Sequence, residues 1–178
     1  MLAPRASAEP LFSMRVEAGA AAPVGEQKSQ QFGWGGAGTL IPELALHEVF
    51  GLDFALGAVV LSDKDGGDPA GVAQTKAGLA GFSTVGPRVR PLATLARRDS
   101  AVDLDGLYLS GGAGAALSGD SLRPTVRASL GWEALTSVIA AGPFVGFVKV
   151  VQPDAGRLRP DDARIATFGL CGTLLPGP

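Results

Sequence analysis

The segment Val49–Asp63 reads VFGLDFALGAVVLSD and alternates between two kinds of side chain. Its even-numbered positions from Phe50 to Val60 are apolar, whereas its odd-numbered positions are mostly small and carry Asp53 and Asp63 near the two ends. A period of two residues indicates a β-strand with one continuous apolar face. About a dozen residues at ~3.3 Å each suffice to cross a bilayer when the strand is tilted. The segment therefore predicts an unusually long strand, and the open question is which face points outward.

The same alternation recurs along most of the chain. Seven further segments carry it: Ser13–Gly25, Phe32–Leu46, Thr75–Leu92, Gly106–Ser118, Pro124–Leu135, Val138–Val151 and Arg164–Leu175. No helical stretch separates these eight candidate strands, and a sequential meander hides its unpaired edges most simply by closing on itself. The sequence therefore predicts an all-β fold, an eight-stranded antiparallel up-and-down transmembrane β-barrel. Residues 1–12 are expected to be a flexible leader, 13–175 the barrel, and 176–178 a tail or the start of a linker.

The composition narrows the class of protein further. The chain has 178 residues, which fits one domain, and its 26 glycines and 13 prolines are too many for a helical protein. Charged residues make up 18% of the chain, below the ~25% of an average soluble domain. The net charge of −2 and the lack of interleaved aromatic and basic residues argue against nucleic acid as a partner. A single cysteine excludes an internal disulfide and a cysteine metal cluster, so no metal or cofactor is expected.

The second face of the strands favours a lipid environment for the apolar face. It is mostly Gly, Ala, Ser and Thr, whereas a water-facing surface of this area is normally dense in charged residues. Its charges come in both signs, as a paired interior network requires. The predicted interior network is Arg15, Glu17, Glu43, Asp53, Lys76, Arg88, Arg90, Arg127, Glu133 and Lys149. The predicted lipid-facing residues are Phe50, Leu52, Phe54, Leu56, Trp34, Leu130, Trp132 and Phe168.

The meander resembles the small outer-membrane barrels of the OmpA/OmpX type over about residues 13–175. The resemblance rests on RVEAGAAAPVG, FGWGGAGTLIPELAL, FGLDFALGAVVLSD, LYLSGGAGAALSG, VRASLGWEAL and GPFVGFVKV. It implies a bacterial outer-membrane location, contact with the lipid bilayer and an interior filled by side chains. It also implies other envelope proteins or a fused periplasmic peptidoglycan-binding domain as partners. The chain departs from the family in its few interfacial aromatics (Trp34, Trp132 and Tyr108) and in a last strand ending Leu174-Leu175-Pro176 rather than in an aromatic residue.

Three motifs could carry chemistry, and each has a simpler interpretation. Gly33–Gly38 matches the dinucleotide-binding glycine pattern, but Pro42 and an alternating strand follow it instead of a phosphate-binding helix. Asp63–Asp68 lacks the glycine position and the later glutamate of a calcium-binding loop. His47 is the only histidine and sits in a tight turn beside Glu48, and no nucleophile elbow occurs. We therefore expect no enzymatic activity.

Of three possible functions we expect the first, and the other two are the alternatives. The first is a structural, anchoring or partner-binding barrel whose interior is plugged by paired charges. The second is a narrow channel for ions or small solutes lined by the same charges. The third is a soluble, lipocalin-like ligand-binding barrel whose apolar face lines an internal cavity.

Overall fold

The structure is a computed structural model that describes residues 12–25, 32–63, 77–93, 106–118, 121–135, 139–151 and 162–174. The predicted leader, apart from Phe12, and the predicted tail lie outside these ranges, as does Lys76. Within the ranges there are nine strand segments: β1 (Phe12–Pro23), β2 (Phe32–Ala45), β3 (Phe50–Asp63), β4 (Ala77–Val89), β5 (Leu107–Ser118), β6 (Ser121–Trp132), β7 (Ala134–Leu135), β8 (Ile139–Val150) and β9 (Ala163–Leu174). No helix in the described ranges is long and apolar enough to span a membrane.

The strands form a closed, eight-stranded, entirely antiparallel β-barrel, which confirms the predicted fold class. Segments β6 and β7 both pair with β8 and act as one barrel strand interrupted at Glu133. Closure comes from the pairing of β1 with β9, the first and last strands. We call the end that carries the β2–β3 turn, residues 46–49, the turn end. The opposite end, where β1, β3, β5 and β8 finish, is the loop end.

The alternation of the sequence sets which side chains point into the barrel. In β3, Asp53, Ala55 and Val59 are buried inside, whereas Phe54 and Leu56 are exposed on the outer wall. The outer wall is strongly apolar, with twenty-two large hydrophobic residues exposed among the described residues. The barrel thus has an apolar exterior and buries charge, the reverse of an ordinary soluble protein.

The outer wall contains the residues that the sequence places on its apolar face. Trp34, Phe50, Phe54, Leu56, Leu130 and Phe168 are exposed, and Leu52 and Trp132 are half-buried on the same side. The rings of Trp34 and Phe168 meet edge to face at 5.6 Å between centroids. In the described strands, Lys149 and Arg164 are the only charged residues on outward positions, and they are register partners near the loop end.

Two residues face differently from the sequence interpretation. Lys149 is not in the interior: the inward positions of β8 are the even-numbered ones, and Lys149 points outward and pairs with Asp162 at 2.7 Å. The alternation could not assign it because both faces of β8 are apolar. Phe32 shares the parity of Trp34 in the sequence, but a register irregularity between Phe32 and Gly35 turns its ring toward the interior.

The interior divides into two layers along the barrel axis. Toward the loop end lies the apolar layer, which we define as Ala21, Val59, Leu61, Phe82, Ala116, Val148, Val150 and Ile165. Toward the turn end lies the polar plug, which we define as Arg15, Glu17, Glu43, Asp53, Arg88, Tyr108, Arg127 and Glu133. Each plug residue is at most 6% exposed, so the plug is closed to solvent.

Candidate functional site: the polar plug

Tyr108 lies at the centre of the polar plug and has no solvent exposure. The guanidinium carbon of Arg15 lies 4.3 Å from the centroid of the Tyr108 ring, and that of Arg88 lies 4.7 Å from it. Such contacts stabilise a cation most when it is desolvated, as both arginines are here. The Tyr108 hydroxyl donates to Glu17 Oε1 at 3.2 Å. The ring therefore joins a cation and an anion of β1, Arg15 and Glu17, to a cation of β4, Arg88.

Glycine at position 131 makes room for this ring. Gly131 is buried on β6 and is the register partner of Tyr108 on β5. A Cβ atom built at Gly131 would lie 2.5 Å from both Cζ and the hydroxyl oxygen of Tyr108. No side chain fits at that distance, so the small residue on β6 and the large one on β5 are complementary.

Each arginine of the plug is paired with a carboxylate on another strand. Arg15 Nη2 donates to Asp53 Oδ2 at 2.6 Å, and Arg127 Nη2 donates to Glu17 Oε2 at 2.5 Å. Arg88 bridges two carboxylates, donating through Nη1 to Glu43 and through Nη2 to Glu133 Oε2 at 3.2 Å. Charge-assisted bonds of this kind are among the stronger hydrogen bonds in proteins. They join β1 to β3, β1 to β6, and β4 to both β2 and the β6–β7 junction.

Hydroxyl groups complete the hydrogen bonding of the carboxylates. Thr173 Oγ1 donates to Glu133 Oε1 at 2.7 Å, and Ser13 Oγ donates to Glu43 Oε2 at 3.3 Å. Ser129 Oγ donates to Glu17 Oε1 at 3.3 Å and accepts from Arg127 Nη2 at 3.1 Å. Buried carboxylates need such partners because their desolvation is costly. Every carboxylate of the plug therefore accepts at least one hydrogen bond.

A few buried polar atoms of the plug have no hydrogen-bond partner among the protein atoms: Arg15 Nε and Nη1, Arg88 Nε, and Asp53 Oδ1. Two of them still lie within ion-pair range. Arg15 Nε is 3.5 Å from Glu17 Oε1, and Arg15 Nη1 is 3.9 Å from Glu43 Oε2. These contacts contribute Coulomb attraction without the geometry of a hydrogen bond. Three arginines thus sit among four carboxylates in one contiguous cluster.

The structure brings together seven of the ten residues assigned to the interior network: Arg15, Glu17, Glu43, Asp53, Arg88, Arg127 and Glu133. Arg90 lies one residue beyond β4, half-buried, and lines a small pocket at the turn end with Arg88, Glu43 and Glu48. Lys149 faces outward, as described above, and Lys76 lies outside the described residues.

Sequence reasoning missed the role of Tyr108 and of the hydroxyls. Tyr108 was counted among the interfacial aromatics, whereas it is fully buried in the plug. The available signal was its parity, because Tyr108 and Ser110 share a face opposite Leu107 and Leu109. Cys171 shares this buried region and donates from Sγ to the carbonyl oxygen of Gly142 at 3.2 Å.

The other candidate motifs have simple structural settings. Gly33–Gly38 lies within β2, with no helix after it in the described ranges. His47 is exposed in the turn and its Nδ1 accepts a hydrogen bond from the amide of Val49 at 3.3 Å. Of Asp63–Asp68, only Asp63 falls in the described residues. No group of three or more His, Cys, Asp or Glu side chains in the described part of the chain is arranged to hold a metal ion.

Comparison with known proteins supports the fold. No protein-family model matches the chain. No curated protein sequence matches it either. Among solved structures, it is similar to the crystal structure of Neisserial surface protein A, with a TM-score of 0.56 and 11% identity over 92% of this chain and 96% of that one. The outer membrane protein AlkL, solved by solid-state NMR in DMPC bilayers, aligns with a TM-score of 0.49 and 12% identity over 100% and 97% of the two chains. The first likeness supports the fold, a small closed β-barrel.

Proposed function

We propose that this protein is a bacterial outer-membrane β-barrel with a structural, anchoring or partner-binding role and an interior closed by side chains. The observation that carries the proposal is the distribution of polarity. Seven charged residues are buried in the polar plug, while the outer wall is apolar and bears charge only at Lys149 and Arg164 in the described strands. In water, burying the charges and exposing the apolar wall would both be unfavourable. In a bilayer, the apolar wall contacts hydrocarbon and the charges are more stable inside the barrel than on its outer wall.

The lengths of the strands support the same conclusion. Apart from the short segment β7, each strand has 12 to 14 residues, compared with ~5–6 in globular sheets and ~9–11 for a tilted strand that crosses a membrane. Lys149 and Arg164 lie within two residues of their strand ends, at the depth where a membrane barrel meets the headgroups. A cation there costs little because it can reach water.

The plug favours an anchoring role over a channel. Its arginines are bonded to carboxylates on other strands, and every residue of the plug is at most 6% exposed. A conducting lumen needs a hydrated path past such groups. We propose no catalytic role: His47 is exposed in the turn, and the small pocket that it lines with Glu43 and Arg88 has no serine among its described lining residues. We therefore propose that the barrel acts as a membrane anchor or binds partners through its two ends.

Partitioning tests this proposal directly. The purified chain is refolded with DMPC vesicles, washed with urea and floated on a density gradient, and a parallel sample is kept in buffer without detergent. We expect the folded protein to float with the vesicles and to aggregate without detergent or lipid. A folded, monodisperse protein in plain buffer would contradict the proposal and support a soluble barrel.

A further inference from the structure

A partly open cavity of about 150 Å³ lies at the loop end of the barrel. The described residues that line it are mostly apolar: Pro23, Phe32, Val59, Leu61, Gly78, Leu79, Ala80, Ser118, Ala163, Arg164 and Ile165. It extends from the wall formed by β1 and β9 across to the wall formed by β3, β4 and β5. It occupies the apolar layer and is separate from the polar plug.

Small residues on β4 create this space. Gly78 and Ala80 are on the inward positions of β4, where larger side chains would reach into the lumen. A Cβ built at Gly78 would lie 3.0 Å from the ring of Phe32, which forms part of the cavity wall. Phe82, two residues farther along β4, is buried in the apolar layer. The cavity itself is lined by one aromatic ring, that of Phe32, and by mostly aliphatic residues.

The lining offers little to hold water. Among the described lining residues, Ser118 supplies the only side-chain hydroxyl and Arg164 the only charge, and Arg164 lies on an outward position at the rim. An ordered water needs two to four polar partners, which the described lining does not supply, so the lining suits an apolar molecule better than water.

We propose that this cavity is a binding site for a small apolar molecule, of the size of an aromatic ring or a short hydrocarbon chain. Val59, Leu61 and Ile165 form its buried walls, with exposures of 1%, 6% and 5%. Such a ligand gains the contacts that the empty walls lack, without displacing any hydrogen-bonded group. The site depends on the barrel fold alone and does not rest on the anchoring role.

The three isoleucines of the chain provide an internal set of reporters. Ile165 lines the cavity, Ile139 is exposed on the outer wall, and Ile41 is fully buried elsewhere in the interior. In detergent micelles, benzene is titrated into protein labelled at the isoleucine δ1 methyls, and the methyl shifts are followed by NMR. Benzene that only partitions into the micelle reaches Ile139, whereas benzene in the cavity reaches Ile165.

We expect the Ile165 methyl to shift with saturation and to show a nuclear Overhauser effect to benzene, while Ile139 shifts linearly and Ile41 stays unchanged. Ala80→Phe fills the cavity and should abolish the saturable shift, whereas Ala113→Phe on the exposed wall should preserve it. If Ala80→Phe does not fold, Ala80→Leu and the wild-type titration serve the same purpose. A linear response at Ile165, or an Overhauser effect from Ile165 to water instead of benzene, would overturn the proposal.

Discussion

Arg15 Nη2 lies 2.6 Å from Asp53 Oδ2 inside the barrel, although β2 separates the two strands that carry them. Both side chains are almost completely buried, at 0% and 4% exposure. The pair therefore links β1 to β3 across the inner face of β2. A buried pair costs little while both partners are present, but removal of one leaves an uncompensated charge.

The first prediction follows from this pair. Arg15→Met leaves Asp53 without its cation and should lower the free energy of unfolding by about 3–5 kcal/mol. The double variant with Asp53→Leu should lose less than the sum of the two single variants. Urea titrations in lipid vesicles measure the free energy of unfolding of the wild type, the two single variants and the double variant.

Lys149→Met is the matched control, because its partly exposed pair with Asp162 should contribute less than about 1 kcal/mol to the free energy of unfolding. Additive losses in the cycle would show that the two groups are uncoupled.

The second prediction concerns the outer wall. Leu56 lies near the middle of β3 with 56% exposure, and Leu122 is the second residue of β6 with 74% exposure. If the wall faces lipid, Leu56→Arg should cost about 2–4 kcal/mol, whereas Leu122→Arg near the loop end should cost about 0–1 kcal/mol. The same refolding titrations compare the two variants. Equal tolerance of both substitutions is incompatible with a lipid-facing wall.

The third prediction concerns the space occupied by Tyr108. Gly131→Ala places a methyl group against the phenol ring and should destabilise the barrel by about 1–3 kcal/mol through overpacking. Gly38→Ala is the control, since a Cβ at Gly38 has nothing within 4 Å. It should be close to neutral. A neutral Gly131→Ala would mean that Tyr108 is not held in the position described.

The alternation of apolar and polar residues along the strands was enough to predict most of the fold and many residues of the polar plug. In β1, β3 and β6 the apolar and polar residues alternate cleanly, so the placement of Arg15, Asp53 and Arg127 on inward positions could be predicted from the sequence. Parity failed where the pattern itself is ambiguous. Both faces of β8 are apolar, which misplaced Lys149, and a register irregularity in β2 turned Phe32 inward.

The pairing within the plug could not be predicted for a different reason. Which carboxylate meets which arginine depends on the stagger between strands, and alternation fixes a face without fixing the stagger. The bonding of Arg88 to both Glu43 and Glu133, and the place of Tyr108 between two guanidinium groups, become visible only once the registers are set. The division of the interior into a polar plug and an apolar layer also depends on the stagger between strands.

The fourth prediction separates the anchor from a channel. Planar bilayers that contain the wild-type protein should show no resolved single-channel currents, because every residue of the polar plug is at most 6% exposed. Arg88→Ala removes the side chain that bridges Glu43 and Glu133, and any conductance should arise only in such variants. Regular current steps from the wild-type protein would favour the channel function over the anchor.

The orientation of the barrel wall is the central claim, and the two tryptophans test it most directly. Trp34 is 65% exposed on the outer wall, and Trp132 is half-buried on the same side. The protein is refolded in vesicles whose acyl chains carry bromine, and tryptophan fluorescence is compared with that in unbrominated vesicles. We expect strong quenching that is reduced when Trp34 is replaced by Phe. Unquenched fluorescence from a folded protein would mean that the apolar wall does not face lipid and would contradict the account.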